Sequence, residues 1–249
     1  MRSGGAFRAA GSGNGGAGYT TAAVNFDGTN DYITHSADLT GAANSKLGIL
    51  SAWVNRDADG LARFIDTKFS LIQIIFLSGN TFQIQLRNAS GAGIILSIAT
   101  SAIVDADGWT HIMASWDMAG PTTHLYVDGV SDNTVTTATD ATIDYTHLNW
   151  TVGAEDDGDA KYTGDIADLY FNTAEYLDLS VAGNRAKFID ASGKPVDLGA
   201  DGSTPTGTAP IMFHKADAAT PANFANNLGG GGNFTVQGAL TNASSTPSD

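Results

Sequence analysis

Hydrophobic and polar residues alternate along much of this chain with a period of two. In residues 81–87 Phe82, Ile84 and Leu86 alternate with Gln83, Gln85 and Arg87, the pattern of a strand with one buried and one wet face. Short apolar runs at 24–26, 32–33, 49–54, 70–77, 94–98, 109–116, 124–130, 150–153 and 166–171 predict further strands. Between them stand turn formers: Asp27–Gly28, Ser78–Gly79–Asn80 and Asp128–Gly129, the residues that close tight hairpins. Strands at this spacing indicate an all-β sandwich or barrel. One helix is predicted near 180–190, capped by Ser180 and ended by Gly193 and Pro195. Late strands are expected at 211–213 and 234–236, with 241–249 as a frayed end.

Length and composition refine this picture. The 249 residues suit one large sandwich with an appendage. The expected organisation is a Gly-rich arm over 1–20, a sandwich over 21–190, and an extension over 191–249 whose late strands complete or flank it. The arm carries Arg2 and Arg8 and no acid, and is read as an assembly element. With 26 acidic and 12 basic residues the formal net charge is −14, which repels phosphate backbones and disfavours a nucleic-acid partner. There is no cysteine, so neither disulfides nor thiolate chemistry are available. No stretch approaches the ~20 apolar residues of a membrane span, and the first residues lack the apolar region of a secretory signal. Neither membrane insertion nor classical secretion is expected.

Four pieces occur in an order that carries a resemblance. They are Asn25–Phe26–Asp27–Gly28–Thr29–Asn30–Asp31–Tyr32, Trp109–Thr110–His111–Ile112 with Trp116–Asp117, Leu125–Tyr126–Val127–Asp128–Gly129, and Gly164–Asp165–Ile166–Ala167–Asp168–Leu169–Tyr170. Together they resemble laminin-G-like and pentraxin-like domains of the concanavalin A-like superfamily. The resemblance implies a jelly-roll sandwich of two antiparallel sheets. The stretch from Tyr162 through Phe213 also resembles laminin-G-like proteins of tailed bacteriophages, which implies a virion component such as a decoration, fibre or adhesion subunit.

Candidate chemistry concentrates in Glu155–Asp156–Asp157–Gly158–Asp159. Oxygen-rich turns suit calcium, which takes six to eight oxygen ligands. The pentraxin resemblance implies a Glu-x-Asp calcium loop here, with Glu155 and Asp157 as ligands and Asp156 offering its carbonyl. That pattern also implies an Asp–Asn pair before an earlier strand. Thr67–Lys68–Phe69 stands there instead, and a lysine opposes a cation. No cofactor is required by the reading; calcium is the candidate, weighed against a plain solvated loop. Trp150, with Asp156 and Asp159, is the candidate surface for a glycan. Trp109 and Trp116 are read as core.

An enzyme reading finds little support in the residues. Retaining glycosidases hold two carboxyls about 5–5.5 Å apart, and the glucanase branch sets Glu-x-Asp-x-(x)-Glu on one strand. The only glutamates are Glu155 and Glu175, and Asp165 and Asp168, three apart on one strand, are expected on opposite faces. The five histidines show no metal spacing. The leading expectation is therefore a non-enzymatic structural or decoration subunit of a phage particle, exposed on the virion. It would be a homo-oligomer bound to other virion proteins through its arm. The alternative is a glycan-binding adhesin, with a glycoside hydrolase behind both.

Overall fold

The computed structural model describes residues 19–79, 81–99, 103 and 108–249. Arg2 and Arg8 of the arm, and Asn80 of the Ser78–Gly79–Asn80 connection, lie outside the described residues.

The strands form two sheets, and every strand pairing among the described residues is antiparallel. The first sheet runs through β10 (Val130–Ser131), β9 (Thr122–Val127), β8 (Thr110–Asp117), β3 (Leu47–Arg56), β13 (Thr163–Asn172), β1 (Val24–Asp27) and β16 (Thr241–Asn242). A further strand, β14 (Met212–His214), also pairs with β13. The second sheet runs through β11 (Thr134–Ala138), β7 (Gly93–Ala99), β6 (Thr81–Arg87), β5 (Ile72–Leu77) and β4 (Ala62–Asp66). It continues through β12 (Trp150–Val152), β2 (Tyr32–His35) and β15 (Thr235–Gln237). The expected antiparallel jelly-roll sandwich is the fold observed.

Between the sheets lies the main core, to which Val24, Phe26, Leu50, Ala52, Val54, Ile112, Ala114, Trp116, Ile166, Leu169 and Phe171 contribute from the first sheet. Phe64, Ile72, Ile74, Phe76, Phe82, Ile84, Leu86, Trp150 and Val152 meet them from the second. A second apolar cluster covers the other face of the first sheet, where Ile49, Trp53, Met113, Ala167, Tyr170 and Phe213 pack under Leu179, Phe188, Ile189 and Leu198. This roof explains why β3 reads as an almost unbroken apolar run: both of its faces are buried. β6 has no such roof, and its sequence alternates.

The family-like motifs serve packing. The Trp116 indole donates to the Tyr145 hydroxyl at 2.8 Å, and that hydroxyl donates to the Leu47 carbonyl at 2.9 Å. Gly48 lets the indole lie against the backbone, since a Cβ there would sit 2.3 Å from the ring. His111 is fully buried against Ser51 Oγ at 2.8 Å, and burial pushes its pKa down to about 3. Asp128 and Gly129 both adopt positive φ (49° and 74°) in the two-residue turn between β9 and β10, the geometry that matches strand twist.

Three local expectations are corrected. The helix α1 spans only Ala182–Arg185, and Ser180 is not its cap: its hydroxyl donates to Asp178 instead. Residues 241–249 are not frayed. β16 borders β1, the Trp109 indole donates to Ser245 Oγ at 3.1 Å, and the Thr21 amide donates to Ser248 Oγ at 3.1 Å. Finally, β13 is bulged between Ala167 and Tyr170, with Asp168 at φ 46°. The extra residue shifts the alternation, so Asp165 and Asp168 face the same side.

Candidate functional site

The two sheets differ in what covers them. The outer face of the first carries the apolar roof. The outer face of the second carries a row of directly opposed residues: Thr235, Thr34, Thr151, Asp66, Gln73, Gln85, Leu96 and Thr137. Beside it runs a second row of Arg63, Ile75, Gln83, Ile98 and Thr134. Opposed residues of neighbouring strands share a face, so these side chains define one surface. Arg63, Gln83, Gln85 and Arg87 are half-buried, whereas Asp66 and Thr151 are fully buried in its floor.

Asp66 is the unusual member. Neither of its carboxylate oxygens has a hydrogen-bond partner, a costly state for a buried charge. Burial raises its pKa to about 7. Arg63 and the Thr67 amide pull it down, and Glu155 and Asp156 push it further up. The amide is near enough to favour the charge without being placed for a sound hydrogen bond. Next along the face, the Arg87 guanidinium donates to Gln73 Oε1 at 3.1 Å and to the Ser70 carbonyl.

That second contact ties the face to the turn between β4 and β5. There Phe69 and Ser70 both hold left-handed backbone, at φ 64° and 51°. Such conformations cost about 1–3 kcal/mol per residue without glycine. Thr67 helps to hold them: its carbonyl accepts from Ser70 N at 2.7 Å and its hydroxyl accepts from Ile72 N at 3.1 Å. The result is that Phe69 points outward at 76% exposure, alone among the described aromatic residues in being exposed. Leu148, 49% exposed, stands beside this turn, its carbonyl accepting from Lys68 N at 3.1 Å. No signal in the sequence marks Phe69, because its exposure follows from the turn alone.

The acidic loop is arranged differently from expectation. Glu155 accepts from the Arg63 guanidinium at 3.0 Å, and Asp157 accepts from the Asp159 amide at 3.1 Å. Gly158 N donates back to the Glu155 carbonyl at 2.8 Å. Asp156 is half-buried, and Asp157 and Asp159 are exposed. Thr67–Lys68–Phe69 does not join this loop. β12 is antiparallel to β4, so the loop after β12 meets the start of β4 and residues 67–69 follow its end. Among the described residues no three His, Cys, Asp or Glu side chains converge as a metal site. With a guanidinium on Glu155, the donor set does not fit calcium.

Trp150 is corrected outright. It is fully buried, packs against Phe171 with centroids 6.1 Å apart, and leaves its indole nitrogen without a partner. Core tryptophans do not touch glycans, so the Trp150, Asp156 and Asp159 surface is not assembled. The acids of β13 are also occupied. Asp165 accepts from Asn25 Nδ2 at 2.8 Å and Asn55 Nδ2 at 3.3 Å. Asp168 accepts from the Tyr19 hydroxyl at 2.9 Å and the Thr21 hydroxyl at 2.8 Å. Burial, offset by these two donors, raises the Asp168 pKa to about 6.

Comparison with known proteins agrees with the architecture. A family profile described as the concanavalin A-like lectin/glucanases superfamily matches residues 27–177. Among solved structures, a putative carbohydrate binding protein from Bacteroides ovatus superposes with a TM-score of 0.58 at 12% identity, covering 92% of this chain and 62% of its own length. A heptameric SAP-like pentraxin from Limulus polyphemus gives a TM-score of 0.49 at 12% identity, covering 64% of this chain and 78% of its own. Domains LG4-5 of the mouse laminin alpha1 chain give 0.45 at 15% identity, covering 66% and 45% respectively. The chain thus spans under two thirds of the Bacteroides ovatus protein. No curated protein matches the chain in sequence.

Proposed function

The chain belongs to the concanavalin A-like lectin/glucanases superfamily, and from that premise we propose that it is a non-enzymatic carbohydrate-binding module. The observation that carries this is the asymmetry between its two outer faces. One is sealed by apolar packing. The other presents Gln83, Gln85, Arg63 and Arg87, partly exposed and grouped by strand register. Amide and guanidinium groups in fixed positions match the hydroxyls of a sugar, and few precisely placed polar groups are what set orientation in such sites. The carboxylates of β13 already hold their donors, which leaves no free pair for acid–base hydrolysis there.

The test is a glycan array probed with the wild-type protein and with a Gln83→Ala/Gln85→Ala double variant. Specific binding by the wild type, reduced in the variant at unchanged melting temperature, is expected. Binding to nothing on the array, or equal binding by the variant, would overturn the proposal.

A second reading, a virion subunit attached through its N-terminal arm, is compatible with this one and has one observation in its favour. Residues 19–21 are held by Asp168 on the outer face of the first sheet, so the point from which the arm departs is on the opposite sheet from the polar face. Deleting residues 2–18 should then weaken incorporation into particles while leaving glycan binding unchanged. Equal incorporation would remove this reading.

A further inference from the structure

We propose that Phe69 is a stacking platform for a pyranose unit that offers a continuous patch of axial C–H groups. The proposal rests on the carbohydrate-binding reading above and names the residue that gives that site its apolar half. Three independent observations converge on it. Phe69 is the exposed aromatic among the described residues, at 76% exposure. Its position is fixed, because Ser70 N, Ile72 N and the Arg87 guanidinium all tie the turn down. And Asp66↔Gln73 is the last pair of the β4–β5 ladder before the turn, so the turn that carries the ring stands at the end of the polar face, where Arg87 bonds both Gln73 and the Ser70 carbonyl.

Sugars combine an apolar C–H face with a rim of hydroxyls, and a site that recognises them needs both halves together. The face supplies hydrogen-bonding groups, and the turn supplies the ring. The Lys68 ammonium lies 5.3 Å from the ring centroid, which occupies one side of the ring and leaves the other for the sugar. Leu148 extends the apolar surface on the neighbouring loop. Nothing in the packing of the described residues requires a phenylalanine here. A glycine would hold the left-handed backbone more easily, so the side chain is present at the expense of the turn.

The experiment is affinity electrophoresis of the full chain through gels containing laminarin, xyloglucan, galactomannan or dextran. Wild type, F69A, F69G, F69W and the Gln83→Ala/Gln85→Ala variant are run side by side, with melting temperatures measured for each. Retardation of wild type by at least one polysaccharide is expected, with affinity falling about tenfold in F69A and F69G and preserved within about threefold in F69W. F69G should melt higher than wild type while binding more weakly, a combination that a merely structural role would not give. If wild type is retarded and F69A is retarded equally, the platform is refuted and the carbohydrate reading stands. If wild type is retarded by none of the four, and by no glycan on the array, both fall.

Discussion

Replacing Asp66 by asparagine should leave stability nearly unchanged in acid and raise it at alkaline pH. In the native protein Asp66 is fully buried, its oxygens lack partners, and its pKa is raised from 3.8 to about 7, mainly by burial. A carboxyl raised in this way favours the fold while protonated. Its contribution is complete below pH 3.8 and is lost as pH climbs through 7. A rise of that size corresponds to roughly 4 kcal/mol of stability forgone above pH 8. In D66N there is no proton to lose, and the buried amide lacks partners just as the protonated carboxyl does, each at a cost of about 1–3 kcal/mol that cancels between them. The variant should therefore match wild type within about 1 kcal/mol near pH 4 and be more stable by about 3–4 kcal/mol at pH 8. Urea denaturation at five pH values between 4 and 8.5 measures both limbs. Parallel stability–pH curves for the two proteins would refute the reasoning, since they would mean that Asp66 does not titrate with folding in this range.

Two further outcomes follow from the packing and the acidic loop. Tyr145→Phe should cost about 1–3 kcal/mol in urea denaturation, because the Trp116 indole loses its acceptor and the Leu47 carbonyl one donor, keeping that from Ser45 Oγ; an unchanged midpoint would show that neither bond matters. Millimolar calcium should leave the melting temperature unmoved, because Arg63 holds Glu155, whereas a ligand bound only by the native state would raise it.

The sandwich was legible wherever the two faces of a strand differ. Phe82, Ile84 and Leu86 against Gln83, Gln85 and Arg87 leave one assignment, and the structure follows it. Trp150 was misread because all three residues of β12 are buried, so no alternation was available to show which way it faces. Thr241–Asn242 is polar and two residues long; its pairing with β1 comes from backbone groups, which composition does not reveal. The bulge at Asp168 moved one acid across the sheet, and no glycine signalled it. The open face was written in the sequence as polar residues at alternate positions. That these line up across neighbouring strands is a matter of register, which distant parts of the chain decide. Phe69 is the extreme case: a lone phenylalanine between Lys68 and Ser70 carries no pattern that tells buried from exposed, and only the turn sets it outward.

The seam between the two ends of the described chain also shapes how the protein reaches its native state. β1 has β16 as its neighbour, and the bond from Thr21 to Ser248 closes a loop of 227 residues. A ribosome adding 5–20 residues per second needs on the order of 10–40 s between making β1 and making β16. During that interval one edge of β1 has no partner, which is the condition under which strands from different chains pair. The hypothesis is that the nascent chain is open to pairing with other chains until β16 emerges. Ribosome-bound chains stalled before Thr241 should be digested by a protease that spares chains stalled on an added linker placed after Asp249. Equal resistance of the two would show that the sheet is secure without its closing strand.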